Sequence, residues 1–183
     1  MAGNLSVETC GSVFASSSRE ASSNYGIGTD GRIGMYVEEK DRSWCTSSGS
    51  NDNRAITIEM ASDTTDPYRV TDEALAGLIK LLVDICKRNN IKELKWHGDP
   101  SLIGQVDKQN MTVHRWFANK ACPGDYLYNL HPYIASEVNK QLNPIEEEEE
   151  MTQEKFNEMM NAYLIEQAKK EPDEWSAPAR AWA

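Results

Sequence analysis

The dipeptide Asp30-Gly31 limits most tightly how this chain can fold, because it joins two β-rich runs, Asn24–Thr29 and Arg32–Val37. Asp-Gly between such runs is the strongest short-range sign of a β-hairpin, since the turn needs residues that tolerate positive φ. A third run, Ala55–Met60, alternates apolar and polar side chains as a half-buried strand does. The sequence therefore predicts a sheet that contains a hairpin.

Apolar side chains at helical spacing predict the helices around these strands. The most regular stripe runs over Val70–Asn90, where Thr71 is suited to the N-cap and Lys87 and Arg88 to the C-terminal turn. The same patterns predict four more elements: helices over Leu5–Ser18 and Asp125–Leu142, and strands over Ile91–His97 and Met111–His114. Strands and helices that alternate in this way favour an α/β sheet covered by helices.

The C-terminal quarter of the chain has a different composition. Asn143-Pro144 ends the α/β domain, so we assign residues 1–143 to it, and the five glutamates at 146–150 predict an extended acidic linker over residues 144–151. Residues 152–183 then form a small helical tail, with an amphipathic helix over Thr152–Lys170 and the start of another over Ala177–Ala183. The last helix stops without a cap, so we expect the tail to be an incomplete module.

Charge and hydropathy exclude some classes of partner. The net charge is −10, and residues 144–183 carry eleven acids and four bases, which is −7 of that total. No basic stripe suited to tracking phosphates is present, so we expect no nucleic-acid partner. No run approaches the roughly 20 apolar residues of a transmembrane helix. The composition does not indicate an oligomeric state.

The cysteines and the N-terminus indicate the compartment. Cys10, Cys45, Cys86 and Cys122 are irregularly spaced and form no CxxC pair. Two disulfides are conceivable, but free thiols in a reducing compartment fit this spacing better. No basic-then-apolar segment opens the chain, so we expect synthesis in the cytoplasm without a signal peptide.

The segment Met111–Asp125 carries most of the chemistry, because it places His114, Lys120 and Cys122 within nine residues. We expect His114 at the end of a strand and Cys122 just before a helix, so that the loop between them can fold both onto one point. An imidazole and a thiolate are two ligands of a catalytic zinc site, which normally takes three. Lys120 could stabilise an oxyanion beside it.

Several candidate residues also have plainer interpretations. Glu59, near the end of a central strand, is either a general base at the mouth of a site or a solvent-facing carboxylate. His97 fits an ordinary loop histidine better than a substrate contact, and His131 fits a structural role. A cysteine hydrolase that uses Cys122 with His114 is a further alternative, but Cys-Pro-Gly suits metal ligation better than an activated nucleophile.

Four segments, in this order, resemble the zinc-dependent N-acetylmuramoyl-L-alanine amidases of the phage-lysin and autolysin type, relatives of the peptidoglycan-recognition proteins. The segments are Ser22–Ile33, Arg42–Cys45, Asn51–Glu59 and His114–Asp125. In the second segment, Trp44 is followed by cysteine where the family usually has histidine. The resemblance covers about residues 1–142 and implies a mixed central β-sheet flanked by helices.

The resemblance also implies roles for individual residues. His114 and Cys122 would bind Zn²⁺, Glu59 would activate the attacking water, and Lys120 would stabilise the developing oxyanion. The implied reaction is hydrolysis of the amide between the lactyl group of N-acetylmuramic acid and L-alanine in peptidoglycan. The implied place of action is the bacterial cell wall, as for a phage-encoded or prophage-like lysin. Tyr25 and Trp44 would be core residues or walls of the cleft.

One part of the family pattern is missing. In the family, the first zinc histidine lies on a strand that precedes a segment like Met1–Ser6, so we expect this chain to be N-terminally truncated and to lack that strand. Cys10, Cys45 and His97 are left as substitutes, and we expect none of them to serve. We therefore expect residues 1–183 to bind zinc weakly; one tightly held zinc per chain, measured by atomic emission, would contradict this.

Two further interpretations follow from these departures. The chain could be a non-catalytic peptidoglycan-binding module of the same fold, because one ligand of the set is missing. The tail run Trp175–Ala183 resembles a small helical wall-associated repeat that follows such catalytic domains, although a solvated helical tail also fits.

Overall fold

The computed structural model describes residues 3–144 and 152–169. The chain divides into two compact units, Met1–Pro144 and Ile145–Ala183. In chain order the elements are α1 (Val7–Ala15), β1 (Tyr25–Ile27), β2 (Ile33–Met35), α2 (Gly49–Asp52), β3 (Ile58–Met60), α3 (Asp72–Arg88), α4 (Asp125–Leu142) and α5 (Gln153–Lys169). Short 3₁₀ turns lie at Ser17–Arg19, Pro100–Leu102 and His114–Trp116.

The described sheet has three strands in the order β2-β1-β3. Strands β1 and β2 form the predicted antiparallel hairpin, and β1 pairs with β3 in parallel, with Gly26 opposite Glu59. Gly31 in the hairpin turn has a φ of 76°, and a Cβ there would lie 2.5 Å from the carbonyl oxygen of Glu73 in α3. Glycine is therefore required both for the turn and for the close approach of the helix. The mixed sheet flanked by helices confirms the α/β class.

The core lies between this sheet and helices α3 and α4, which pack on each other. Helix α3 begins as predicted, because Thr71 accepts a hydrogen bond from the backbone N–H of Ala74. Ala74 and Val138 are fully buried, and Ile134 is nearly so. Burying a side chain such as isoleucine contributes about 1.5–3 kcal/mol, so the packing of α3 against α4 stabilises the core.

The strand predicted over Ile91–His97 is wrong. Its backbone is bonded largely by side-chain amides instead of a strand ladder. Asn139 bonds both backbone groups of Leu94, at 2.7 and 2.9 Å. Asn110 Oδ1 accepts from Lys95 N–H at 2.8 Å, and Gln109 Oε1 accepts from His97 N–H at 3.0 Å. The apolar pattern fits a strand, but no neighbouring strand pairs with this segment in the described residues, and side chains supply most of its bonds.

Glu39 forms an ion pair that ties the segment after the hairpin to the end of α3. Its carboxylate accepts from both terminal nitrogens of Arg88, at 2.8 and 2.9 Å, and from the hydroxyl of Tyr25 at 2.8 Å. The Arg88 guanidinium is the main cause that lowers the pKa of Glu39 to about 2, from an ordinary 4.5. The Glu39 side chain is 18% exposed, whereas the Arg88 side chain is 44% exposed, so water reaches this ion pair from the arginine side.

Glu39→Gln is expected to remove a pH-dependent part of the stability. Because the pKa of Glu39 is lower in the folded chain, its contribution is complete above about pH 4.5 and is lost as the pH falls towards 2. The shift corresponds to at most about 3 kcal/mol, and screening around the half-exposed Arg88 reduces this to about 1–2 kcal/mol. Urea unfolding at several pH values would show this as a shallower acid slope in the variant. An unchanged slope would contradict it.

The second unit contributes one described helix. Helix α5 lies within the predicted Thr152–Lys170, and its apolar side chains are exposed within the described residues: Phe156, Met159, Met160, Tyr163 and Leu164. The predicted linker glutamates and the predicted helix over Ala177–Ala183 fall outside the described residues. Among the helices of the described ranges, none has the length and apolarity to cross a membrane.

Candidate active site

A cleft of about 1260 Å³ opens in the first unit between β3, the loop that carries Cys45, and the segment that leads into α4. Its walls include Glu59, His114 and Cys122, together with Cys45. Ligand sites commonly occupy clefts of about 300–1,000 Å³, and this one extends inward to the core side chains of Leu78 and Ile134. Three of the four site residues predicted from the sequence therefore line one cleft.

Glu59 reaches the cleft from the middle of β3, opposite Gly26 of the central strand. It is half-buried. Burial is the main cause that raises the pKa of the Cys45 thiol to about 12, and the negative charge of Glu59 adds to that shift. Besides burial, the negative charge of Glu59 also helps to raise the pKa of Cys122, and it opposes the lowering of the pKa of His114 that burial causes. The carboxylate therefore lies close to these groups.

His114 begins a 3₁₀ turn, and the strand predicted up to it is wrong. The turn closes through hydrogen bonds from Trp116 N–H to Val113 O at 3.1 Å and from Phe117 N–H to His114 O at 2.9 Å. Before the turn, the hydroxyl of Thr112 donates to Oδ1 of Asn51 in α2 at 3.2 Å.

The imidazole of His114 is suited to binding a metal ion. Its Nε2 is buried and has no hydrogen-bond partner in the described part of the chain. Burial is the main cause that lowers the pKa of this histidine, so the ring is neutral near pH 7. A neutral imidazole with an uncommitted nitrogen is the form in which histidine binds zinc.

The loop after the turn returns Cys122 to the vicinity of His114. The carbonyl of Cys122 accepts a hydrogen bond from Arg115 N–H at 3.0 Å. The Arg115 guanidinium holds the same loop, because it donates to Ala121 O at 2.7 Å and to Asp125 Oδ1 at 2.8 Å. His114 and Cys122 thus belong to one loop that hydrogen bonds hold together, as the sequence predicted.

Protonation of Cys122 bears on the cysteine-hydrolase alternative. Burial is the main cause that raises the pKa of its thiol. A nucleophilic cysteine needs a lowered pKa and an activating base, so the metal-free site favours the inert thiol. A bound metal ion would supply the missing stabilisation of the thiolate.

Lys120, the fourth predicted residue, lies at the edge of this arrangement. Its side chain is exposed, and it does not line the cleft. Burial is the main cause of the lowered pKa of His114, and the positive charge of Lys120 is one of the smaller causes. The side chain would have to move to bring its ammonium group to a substrate in the cleft.

The two aromatic residues that the resemblance placed near the cleft have different surroundings. Tyr25 is buried in the core and donates to Glu39. Trp44 is 55% exposed, and the Arg42 guanidinium lies 5.2 Å from the centre of its ring. Tyr25 is thus a core residue, whereas Trp44 lies on the surface next to Cys45.

Sequence reasoning missed Asp52, which shapes the cleft wall at Cys45. Asp52 is 2% exposed and accepts hydrogen bonds from the backbone N–H groups of Cys45 and Thr46 and from the Thr46 hydroxyl. The polar run Cys45–Asn53 that contains Asp52 includes the short helix α2. Ser48 could have indicated that helix, because its side chain accepts from Asn51 N–H three residues later.

Asp52→Ala is expected to destabilise the chain by about 2–4 kcal/mol, because it leaves three buried donors without their charged acceptor. Thermal and urea unfolding would measure the loss. Asp107→Ala is a matched control, since that side chain is exposed and should change stability by no more than about 0.5 kcal/mol. Equal effects of the two substitutions would show that the Asp52 cluster does not hold the loop.

The described residues supply two candidate metal ligands. Within 3–144 and 152–169, no group of three or more histidine, cysteine, aspartate or glutamate side chains is arranged to hold a metal ion. All four cysteines are free thiols. Cys45 shares the cleft but does not complete a set of three with His114 and Cys122.

The comparison with protein families identifies the class of protein. The model of the family described as N-acetylmuramoyl-L-alanine amidase matches residues 2–125, about two thirds of the chain. The chain therefore belongs to the N-acetylmuramoyl-L-alanine amidase family. No curated protein and no solved structure matches it. The matched range includes β3, the Cys45 loop and the segment from His114 to Cys122.

Proposed function

We propose that this chain is a peptidoglycan hydrolase that cleaves the amide between N-acetylmuramic acid and L-alanine with the help of Zn²⁺. Family membership supports the general reaction. The observation that carries the metal-dependent form is the buried, unpartnered Nε2 of His114 in a cleft that Glu59 and Cys122 also line. When bound, zinc would lower the pKa of a water molecule to about 7 and polarise the substrate carbonyl.

Each residue has a distinct role in this proposal. His114, through Nε2, and Cys122, through its thiolate, hold the metal ion. Glu59 takes the proton from the attacking water and delivers it to the leaving amine of L-alanine. Lys120 moves in from the rim and stabilises the negative charge that develops on the carbonyl oxygen.

The proposed partner and place of action follow from the substrate. The chain would bind peptidoglycan and act at the bacterial cell wall as a lysin or autolysin. The acidic linker and the helical tail would accompany the catalytic unit as a wall-associated appendage. We propose no nucleic-acid partner, because the chain is acidic overall.

A non-catalytic peptidoglycan-binding module of the same fold is the second candidate. The finding that favours it is that the described residues provide two candidate ligands instead of a group of three. Two ligands bind catalytic zinc more weakly than three do, so the chain could retain the cleft without turnover. The two candidates differ in whether new N-termini appear when the protein meets cell walls.

Incubation of purified cell walls with the protein, in the presence of added Zn²⁺, tests both candidates. The amidase produces free N-terminal alanine together with loss of turbidity, and chelation by 1,10-phenanthroline stops both. A binding module sediments with the walls and releases no alanine. Release of reducing sugars without N-terminal alanine would contradict the proposed reaction, because the glycan would then be the bond cleaved.

A further inference from the structure

Three rings in contact connect α4 to the turn that begins at His114, and we call them the ring column: Trp116, Trp96 and His131. The Trp116 and Trp96 rings are stacked, at 8°, with centroids 5.1 Å apart. The His131 ring packs on Trp96 at a tilt of 31°, with centroids 4.3 Å apart. Tyr128 packs its ring edgewise against both tryptophans. Such contacts contribute about 0.5–1.5 kcal/mol per pair beyond area burial.

Hydrogen bonds hold the part of the ring column formed by His131 and Trp96. His131 is buried, and its Nδ1 lies 2.8 Å from Leu127 O one helical turn earlier. The backbone around Trp96 is fixed by the amides of Asn110 and Gln109, the second of which is 2% exposed. Trp96 is therefore a rigid surface on which the Trp116 ring rests.

The other end of the ring column lies in the turn that His114 begins, because Trp116 is the third residue of that 3₁₀ turn. Among the described residues, the Nε2 of His114 has no hydrogen-bond partner that would hold the ring in place. The conformation of the turn is therefore left to set the direction of the ring, and the contact between Trp116 and Trp96 supports that turn.

We propose that Trp96 is a positioning residue for His114, acting through its stack on Trp116. The inference rests on the proposed function in one respect, namely that His114 binds a metal ion. In this role Trp96 would touch neither metal nor substrate and would keep the turn closed and the Nε2 atom buried. Arg115, the residue between His114 and Trp116, also contacts this cluster, because its guanidinium lies 4.8 Å from the centre of the Tyr128 ring.

The test compares Trp96→Leu, which removes the stack, with Trp96→Phe, which keeps an aromatic face. Phe14→Leu is the matched control, since Phe14 is a half-buried ring in an aromatic pair outside the cleft. The first readout uses metal-free protein: the rate at which diethyl pyrocarbonate modifies His114, measured by mass spectrometry. His97 is exposed and serves as the internal reference in every variant.

We expect His114 to react several-fold faster than in the wild type in Trp96→Leu, and at close to the wild-type rate in Trp96→Phe and Phe14→Leu. Thermal unfolding identifies any general loss of stability. The rate at His131 does not serve for this purpose, because its ring packs on Trp96 and would respond to the substitution directly. A wild-type rate for His114 in folded Trp96→Leu overturns the proposal. So does an equal acceleration in Phe14→Leu of matched stability, because the effect would then be general.

The second readout is the absorption of the Co²⁺ complex, whose thiolate charge-transfer and ligand-field bands report the metal environment. Trp96→Leu is expected to bind Co²⁺ about tenfold more weakly than the wild type, and Trp96→Phe to recover most of that loss. Absence of a thiolate band in the wild type contradicts the proposed ligands, while the modification rates still decide the role of Trp96. Equal Co²⁺ affinities in Trp96→Leu and the wild type contradict the positioning role.

Discussion

Replacing Glu59 by glutamine is expected to lower the rate of N-terminal alanine release from cell walls by roughly 10²–10⁴-fold. Glutamine keeps the shape of the side chain in β3 but cannot accept the proton of the attacking water. Zinc affinity should stay close to the wild-type value, because Glu59 is not a proposed ligand. Initial rates at saturating Zn²⁺, with a parallel zinc titration, separate the two effects.

Glu93→Gln is the matched control for this experiment. Glu93 is also a glutamate of the first unit, but it is exposed, lies outside the cleft and pairs with Lys95 at 3.7 Å. Its substitution should leave the rate unchanged. If Glu59→Gln released alanine as fast as Glu93→Gln, the base would have to be another group, and the solvent-facing interpretation of Glu59 would be correct.

Replacing Cys122 by serine is expected to weaken zinc binding by roughly 100-fold or more, since loss of a direct ligand should exceed the 10–100-fold effect of outer groups. A serine hydroxyl is a poor substitute, because it keeps its proton near neutral pH and does not offer a thiolate. Equilibrium dialysis measures the affinity, and the thiolate band of the Co²⁺ complex should disappear. Alanine release should fall in parallel at limiting zinc.

Cys45→Ser is the control that distinguishes the two thiols of the cleft. Both cysteines are half-buried and line the same walls. Cys122 belongs to the bonded loop that begins at His114, whereas Cys45 belongs to a different loop, which Asp52 holds. Cys45 is therefore not a proposed ligand, and zinc affinity should be unchanged in Cys45→Ser. Loss of zinc in Cys45→Ser but not in Cys122→Ser would reverse the assignment.

Local sequence patterns were sufficient for the elements whose hydrogen bonds are local. The Asp30-Gly31 hairpin and helix α3 form as predicted, because turn chemistry, capping and apolar spacing act within a few residues. The extended segment at Leu94 was assigned to a strand because its apolar pattern fits one. Its bonding partner, Asn139, is 45 residues away, and no local pattern reveals that pairing.

The same distinction applies to the cleft. The compact group of His114, Lys120 and Cys122 was predictable, since one loop carries all three. The role of Asp52 was not, because it depends on the folded shape of a polar loop whose donors lie six and seven residues earlier. The half-buried position of Glu59 in the cleft likewise depends on the parallel pairing of β3 with β1, which joins distant parts of the chain.

The amide side chains that hold the extended segment make it unusually sensitive to single substitutions. A backbone ladder survives most changes of side chain, because every residue except proline carries the same donor and acceptor. At Leu94, by contrast, one asparagine supplies both the donor and the acceptor. Conversion of Asn139 to aspartate, by mutation or deamidation, would replace its NH₂ group with an oxygen facing the Leu94 carbonyl. A change of one functional group at residue 139 would thus weaken the segment that carries Trp96, against which the turn of His114 packs.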